Sequence, residues 1–334
     1  AAHDGLGLPS ESFLVARVSQ NVLAESRVGA IFTDGSPTGA RNSLAGFDAV
    51  YQTSRLFGDK NFLAGGWFVY NWNEAPGGRH EGFGFKVDYP NDLWDVAASF
   101  NSYGGALDPG VGYLPRRGVR VLSFGANFMP RPEKGLVGRL VRQFYFELRP
   151  SFTWDLAGLL ETRRIFTAPL NIQTESGEHL EFNVVSNYDR LPEDWEVADG
   201  VVLPAAGYGF TNYAVQLETA SHRPWGGRVE WEFGPFYSGH FDNVEAGFRF
   251  NLKGYASFDL DVNFVRGRLP EGAFKENVYQ LKADVFLSPR LGLMNYIQYD
   301  DVTNELGFNV RFRWELWPGN TINFVYSKNW ERRF

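Results

Sequence analysis

Along much of this chain apolar and polar residues alternate one for one, and that period leaves few folds open. Val244, Ala246, Phe248, Phe250 and Leu252 are interleaved with Glu245, Arg249, Asn251 and Lys253. Phe258, Leu260, Val262 and Phe264 follow, set against Asp259, Asp261 and Asn263. Val229, Trp231 and Phe233 alternate with Arg228, Glu230 and Glu232, and Leu306 through Leu316 with Glu305, Asn309, Arg311, Arg313 and Glu315. Successive side chains of a strand point to opposite faces, so each segment has one apolar face and one charged face. A soluble sandwich alternates too. Two features favour a membrane sheet. The segments run roughly 10–14 residues, near the length of a tilted membrane strand and beyond the usual five or six or so. Aromatics also gather near segment ends, as at Trp67-Phe68, Tyr70 and Trp72, Trp314 and Trp317, and Trp330, where interfacial girdles sit.

Turn signals punctuate the segments: Phe57-Gly58-Asp59, Pro90-Asn91-Asp92, Ser176-Gly177-Glu178, Lys253-Gly254, Ser288-Pro289 and Pro318-Gly319-Asn320. The expected fold is all-β, a transmembrane antiparallel up-and-down β-barrel of about 18 strands, range roughly 16–20. One domain is expected over residues 1–334, with 1–10 a loop or leader segment and long loops near 34–42, 73–80, 103–118 and 190–204. Short turns in such barrels face the periplasm and long loops face outward. If Pro318–Asn320 is one of the short turns, the final strand runs outward, whereas the last strand of an ordinary outer-membrane barrel runs inward. Either the count is off by one strand or some long loops face the periplasm.

Composition narrows the class further. Phe, Tyr and Trp make up 16% of residues while the mean hydropathy is slightly negative, so the aromatics are spread between charges instead of massed in core runs. Cysteine is absent, which excludes a disulfide framework and any Cys-based metal site or nucleophile. The net charge of −7 argues against a nucleic-acid partner, which calls for a basic face. No run of 18 apolar residues exists to form a membrane helix. The first eleven residues lack a secretory pattern, so the chain is expected to be mature or a part of something longer. Ile322, Phe324, Tyr326, Trp330 and the terminal Phe334 share one parity. An alternating last strand ending in an aromatic resembles the signal read by barrel assembly machinery; the alternative is any amphipathic edge strand.

Chemistry-bearing motifs are weak. The histidines lie in no local motif with Ser and an acid, and the Gly-x-Ser-x-Gly elbow is missing. An acid–His pair at a rim would use His240 beside Asp242, or His222, against the plainer reading of polar turn residues. Asp259-Leu-Asp261-Val-Asn263 begins like a calcium loop but lacks its later Gly and Glu. The acidic stretch Asp189–Asp199 reads as a solvated loop or a weak calcium site. Gly5-Leu-Gly7 has no flanking strand and helix for dinucleotide binding. No metal site, cofactor or catalytic residue is expected. Arg116, Arg117 and Arg120, and again Arg131, Lys134, Arg139 and Arg142, are candidate contacts for lipopolysaccharide phosphates or ordinary loop charges.

What remains is the charged face. Glu230, Glu232, Glu245, Arg249, Lys253, Asp259, Asp261, Lys282, Asp284, Arg311, Arg313 and Glu315 are the candidate lumen-lining residues. About 18 strands enclose an aqueous channel unless something fills it, and both signs along the wall suit polar or zwitterionic solutes. The alternative is that these charges pair across strands and hold the wall together.

Several stretches carry a resemblance. Gly29–Gly35 with Pro37-Thr-Gly39 and Gly46-Phe-Asp48, Tyr89–Trp94, Pro115–Gly118, Gly200–Pro204 with Gly207-Tyr208, Phe236–Gly239, and Gln298-Tyr299 through Asn309–Trp314 to Pro318-Gly319 and Val325-Tyr326 resemble bacterial outer-membrane proteins that carry an N-terminal carbohydrate-binding family 9-like domain. Their C-terminal barrel region has no assigned function. The resemblance implies an outer-membrane barrel linked to glycan handling, a sugar-binding domain or other outer-membrane subunit as partner, and no catalytic residues. Such proteins carry further segments before this point, so the chain looks like the C-terminal part of a longer protein. Three functions are weighed. The first is a porin-like channel for polar solutes. The second is a plugged docking barrel anchoring a surface or periplasmic partner, with Tyr103–Gly118 the candidate plug. The third is an outer-membrane hydrolase.

Overall fold

The computed structural model describes residues 12–75, 77–252 and 254–331. Among them are twenty strands and one six-residue helix, and eighteen of the strands belong to one antiparallel sheet, as the alternation predicts. No helix of the described residues is long and apolar enough to cross a membrane. The expectations placed on residues 1–10, on Lys253 and on Phe334 lie outside the described residues.

The chain forms two compact units. The first draws its described residues from the stretch up to Met129 and from Glu147–Phe166 and Tyr188–Arg190. It contains a seven-strand meander: β1 (Leu14–Val22), β2 (Ser26–Asp34), β3 (Asn42–Leu56), β4 (Lys60–Asn73), β5 (Glu81–Pro90), β6 (Trp94–Tyr103) and β7 (Val119–Phe128). Each strand pairs antiparallel with the next. The turns 23–25, 57–59 and 91–93 are short and share one end of this unit. The loops 35–41, 74–80 and 104–118 share the other, which is also the end at which β1 begins. Phe57 opens its turn at φ 52° and Gly58 continues it at φ 106°, the paired positive φ of a tight hairpin connection. The helix α1 (Gly135–Leu140) lies in the connection from β7 to β8 (Val141–Asp155), which sequence punctuation did not single out. β9 (Leu160–Thr174) and β10 (His179–Arg190) follow.

The second unit contains β13 (Gly207–Glu218), β14 (Trp225–Phe236), β15 (Gly239–Leu252), β16 (Ala256–Leu269), β17 (Gly272–Ser288), β18 (Leu291–Asp300), β19 (Glu305–Trp317) and β20 (Asn320–Glu331), again a continuous meander. The stretch expected to be a plain loop near 190–204 instead holds a second small sheet, β11 (Trp195–Ala198) paired with β12 (Val201–Leu203). Its Val201 and Leu203 are buried with Leu269, and Phe236, Tyr237 and Phe274 pack around them. A backbone folded on itself and pinned by an apolar plug satisfies its own hydrogen bonds, which a long irregular excursion could not. The hairpin therefore sits at the end of the unit that carries the 237–238 and 270–271 turns. β20, entered from the 318–319 turn, finishes at that same end.

Side-chain burial is inverted relative to a soluble domain. Glycines aside, the described buried residues divide into eleven apolar and eleven polar ones. Many large apolar side chains are exposed instead, among them Phe47 at 61%, Phe248 at 51% and Phe324 at 65%. In water such a contiguous apolar surface would drive association; against hydrocarbon it is the ordinary exterior of a barrel.

Candidate functional site

Register assigns each side chain to a face. In the second unit Phe248 stands opposite Leu260, Trp231 opposite Val244, Val310 opposite Tyr326 and Phe312 opposite Phe324. This is the apolar face, and Phe324, Tyr326 and Trp330 all lie on it. The other parity is the charged face. Gly226, Arg249, Asp259, Lys282 and Tyr296 form one row across β14 to β18, and Arg228, Gly247, Asp261, Gln280 and Gln298 form the next. Glu230, Glu245, Asn263, Val278 and Asp300 form the third. Glu232 lies opposite Asn243, Asp284 opposite Met294, and Arg311, Arg313 and Glu315 continue the face on β19. All the described candidates of the charged row thus share one face of one unit.

Among the described residues, two ion pairs join these charges to groups on the same face. Arg228 Nη2 is 3.7 Å from Glu245 Oε2, and Arg313 Nη2 is 3.5 Å from Glu315 Oε2. The Lys282 ammonium lies 6.0 Å over the Tyr296 ring, a cation–π distance. Glu230 and Glu245 face each other directly across strands despite like charge, an arrangement that weakens the sheet locally.

Two adjoining grooves run along this face. One, of about 300 Å³, is bordered by Glu218, Thr219, Gly226, Arg228, Gly247, Arg249, Asp259 and Asp261. The other, of about 550 Å³, shares Arg228 and Asp261 and extends past Asn263, Glu276 and Gln280 to Asp300. The sequence reading passed over Glu218, Gly226 and Gly247. The signal was available, because glycine inside a strand marks a close approach of something to the backbone.

In the first unit the polar face carries a folded-in segment. Asn71 is fully buried. Its Nδ2 donates to Asn42 Oδ1 at 2.7 Å and to the Ser43 carbonyl at 3.0 Å, and its Oδ1 accepts from the Asp108 amide at 3.0 Å. Asn42 Nδ2 donates to the Asp108 carbonyl at 2.9 Å, and Asn73 Nδ2 to the Ala106 carbonyl at 2.7 Å. Ala106 and Leu107 are buried beneath. By register Asn42, Asn71 and Asn73 lie on the face opposite Phe47, Phe68 and Tyr70, so segment 104–118 is clamped over the polar face of β3 to β5. No single residue of that segment predicts this; the asparagines that hold it lie 33 to 66 residues earlier.

The rim candidates separate. Arg116 pairs with Glu161 at 2.6 Å and Arg117 with Asp108 at 3.4 Å. Arg120 is the second residue of β7, and Arg131 and Lys134 follow that strand's end. His240 makes no hydrogen bond to Asp242, whose Oδ1 instead accepts from the Trp231 indole at 3.2 Å on the apolar face. Asp259, Asp261 and Asn263 lie within β16. No group of His and carboxylates among the described residues is placed to hold a metal. In the acidic stretch, Glu196 accepts from the Gly200 amide and Asp194 from the Ala205 amide, both at 2.9 Å, so these carboxylates cap the hairpin's own backbone.

No protein-family model, curated protein or solved structure matches this chain.

Proposed function

We propose that the protein is an outer-membrane β-barrel of a Gram-negative-type bacterium and acts as a porin-like channel for polar solutes. One observation carries the reading: in the second meander the strands present aromatic and aliphatic side chains on one face and mostly charged or amide groups on the other. Hydrocarbon accepts the first face and only water accepts the second. The clamped segment 104–118 is then a constriction that limits solute size. With β20 running inward, the hairpin end of the second unit faces the periplasm. There it offers a surface to a periplasmic partner such as the sugar-binding domain that the sequence resemblance implies.

Single-channel conductance of detergent-refolded protein in a planar bilayer tests the reading. Steady steps that added polar solute reduces are the expected result. A folded protein that resists SDS until boiled and carries no current would overturn the channel in favour of a second reading. In that reading segment 104–118 plugs the interior and the barrel serves as a docking platform; the buried Asn71 clamp favours it.

A further inference from the structure

We propose that the notch floored by Gly226 and Gly247 is a binding site for small zwitterions of dipeptide size, molecules with an ammonium and a carboxylate a few atoms apart. This rests on the charged face being a solvent-filled path. Arg249 stands directly opposite both Gly226 and Asp259, and Gly247 directly opposite both Arg228 and Asp261. Directly opposed unlike charges ordinarily attract across strands. Arg249, Asp259 and Asp261 nevertheless make no hydrogen bond or ion pair among the described residues, so their donors and acceptors remain open to a ligand.

The glycines create the room. A Cβ on Gly247 would stand 2.8 Å from Asp261 Oδ1, and one on Gly226 would stand 2.9 Å from Thr219 Oγ1 and 3.9 Å from Arg249 Nη2. Asp261 leans over the bare backbone of Gly247, where a side chain would push it away, and a side chain at Gly226 would press on Thr219 beside the Arg249 guanidinium. Adjacent strands are about 4.8 Å apart, so the backbones of β14 and β16 stand about 10 Å apart, and the open Arg249 guanidinium and the Asp259 and Asp261 carboxylates share that width. That span takes a carboxylate on the arginine side, where the planar guanidinium forks onto it, and an ammonium on the aspartate side. A single-charge solute would leave one side of the notch facing unmatched charge. A neutral sugar would lack a stacking partner, because the nearest ring on this face by register, Tyr296, stands two strands beyond Asp259.

The test is calorimetric titration of the folded protein in detergent micelles with glycylglycine, N-acetylglycine, glycinamide and glucose. Glycylglycine is expected to bind, and the two single-charge analogues to bind about tenfold more weakly or less, the loss of one charge-assisted contact. Arg249→Gln is expected to weaken N-acetylglycine and spare glycinamide, and Asp259→Asn to do the reverse. Gly247→Ala keeps every charge and displaces the Asp261 carboxylate, so it is expected to weaken glycylglycine and glycinamide by about tenfold and to spare N-acetylglycine; it carries the test if a charge variant does not fold. Equal binding of all four solutes, or no glycylglycine binding by folded protein, would overturn the site. Because the titration needs no current, binding without conductance would sink only the channel, and conductance without binding would sink only the notch.

Discussion

Trp67 lies over Gly84. A methyl group built on Gly84 would stand 2.6 Å from the indole Nε1 and closer still to Asn101 Oδ1, while the indole N–H donates to that same Asn101 oxygen at 3.3 Å. Tyr103 abuts the indole at 5.7 Å between centroids, and Leu107 of the clamped segment reaches the neighbouring Gly82. The glycine pair is thus a seat for one large ring. Gly84→Ala is expected to displace it and to destabilise the folded state by about 1–3 kcal/mol, the usual cost of overpacking. The denaturant midpoint in micelles measures this; an unchanged midpoint would mean that the ring has room to move.

Asn71 holds segment 104–118 from beneath. Asn71→Ala leaves the Asn42 amide oxygen and the Asp108 amide without their partner, at a cost of about 1–3 kcal/mol for the buried groups. The variant is expected to expose Arg116 and Arg117 to trypsin, with cleavage there becoming faster than elsewhere in the chain, and to raise conductance where the wild type conducts. A digestion pattern identical to wild type would argue against the clamp.

The assignment of faces predicts an asymmetric response to charge. Arg placed on the apolar face, as in Phe248→Arg, is expected to cost about 2–4 kcal/mol of insertion stability if the position lies near the bilayer midplane. Asn263→Arg, on the opposite face one strand away, is expected to change folding into vesicles little. Equal penalties at both positions would remove the basis for a lipid-facing side.

One turn carries a pH signature. Glu178, in the connection between β9 and β10, has its pKa lowered from 4.5 to about 2, first by the Ser176 hydroxyl, then by the Thr174 hydroxyl, with the Arg223 charge adding to it. A carboxylate whose folded pKa is depressed stabilises the fold fully above its unfolded value and loses that contribution as pH falls from about 4.5 through about 2. The stability difference between wild type and Glu178→Gln is therefore expected at neutral pH and to vanish by about pH 2. A difference that persists unchanged at that pH would place its origin elsewhere than in the charge. Thr174→Val is expected to shift the titration upward.

How far the sequence could be read follows from the range of each interaction. Alternation and turn residues are local, and they alone determined the all-β class, the strands β14, β15, β16 and β19, the turns at 57–59, 91–93 and 318–319, and the face on which Glu230, Arg249, Asp259 and Lys282 stand together. A two-residue period leaves a side chain no other choice once the segment is a strand. What only the tertiary structure decided depends on partners far apart in the chain. Asn71 clamps Asp108; Leu203 finds Leu269 and turns a supposed loop into a hairpin; and two glycines that look like interruptions of β14 and β15 come to lie among Arg228, Arg249 and Asp261. Those contacts are fixed by strand register and by the path of the connections, which residue order along one strand does not encode.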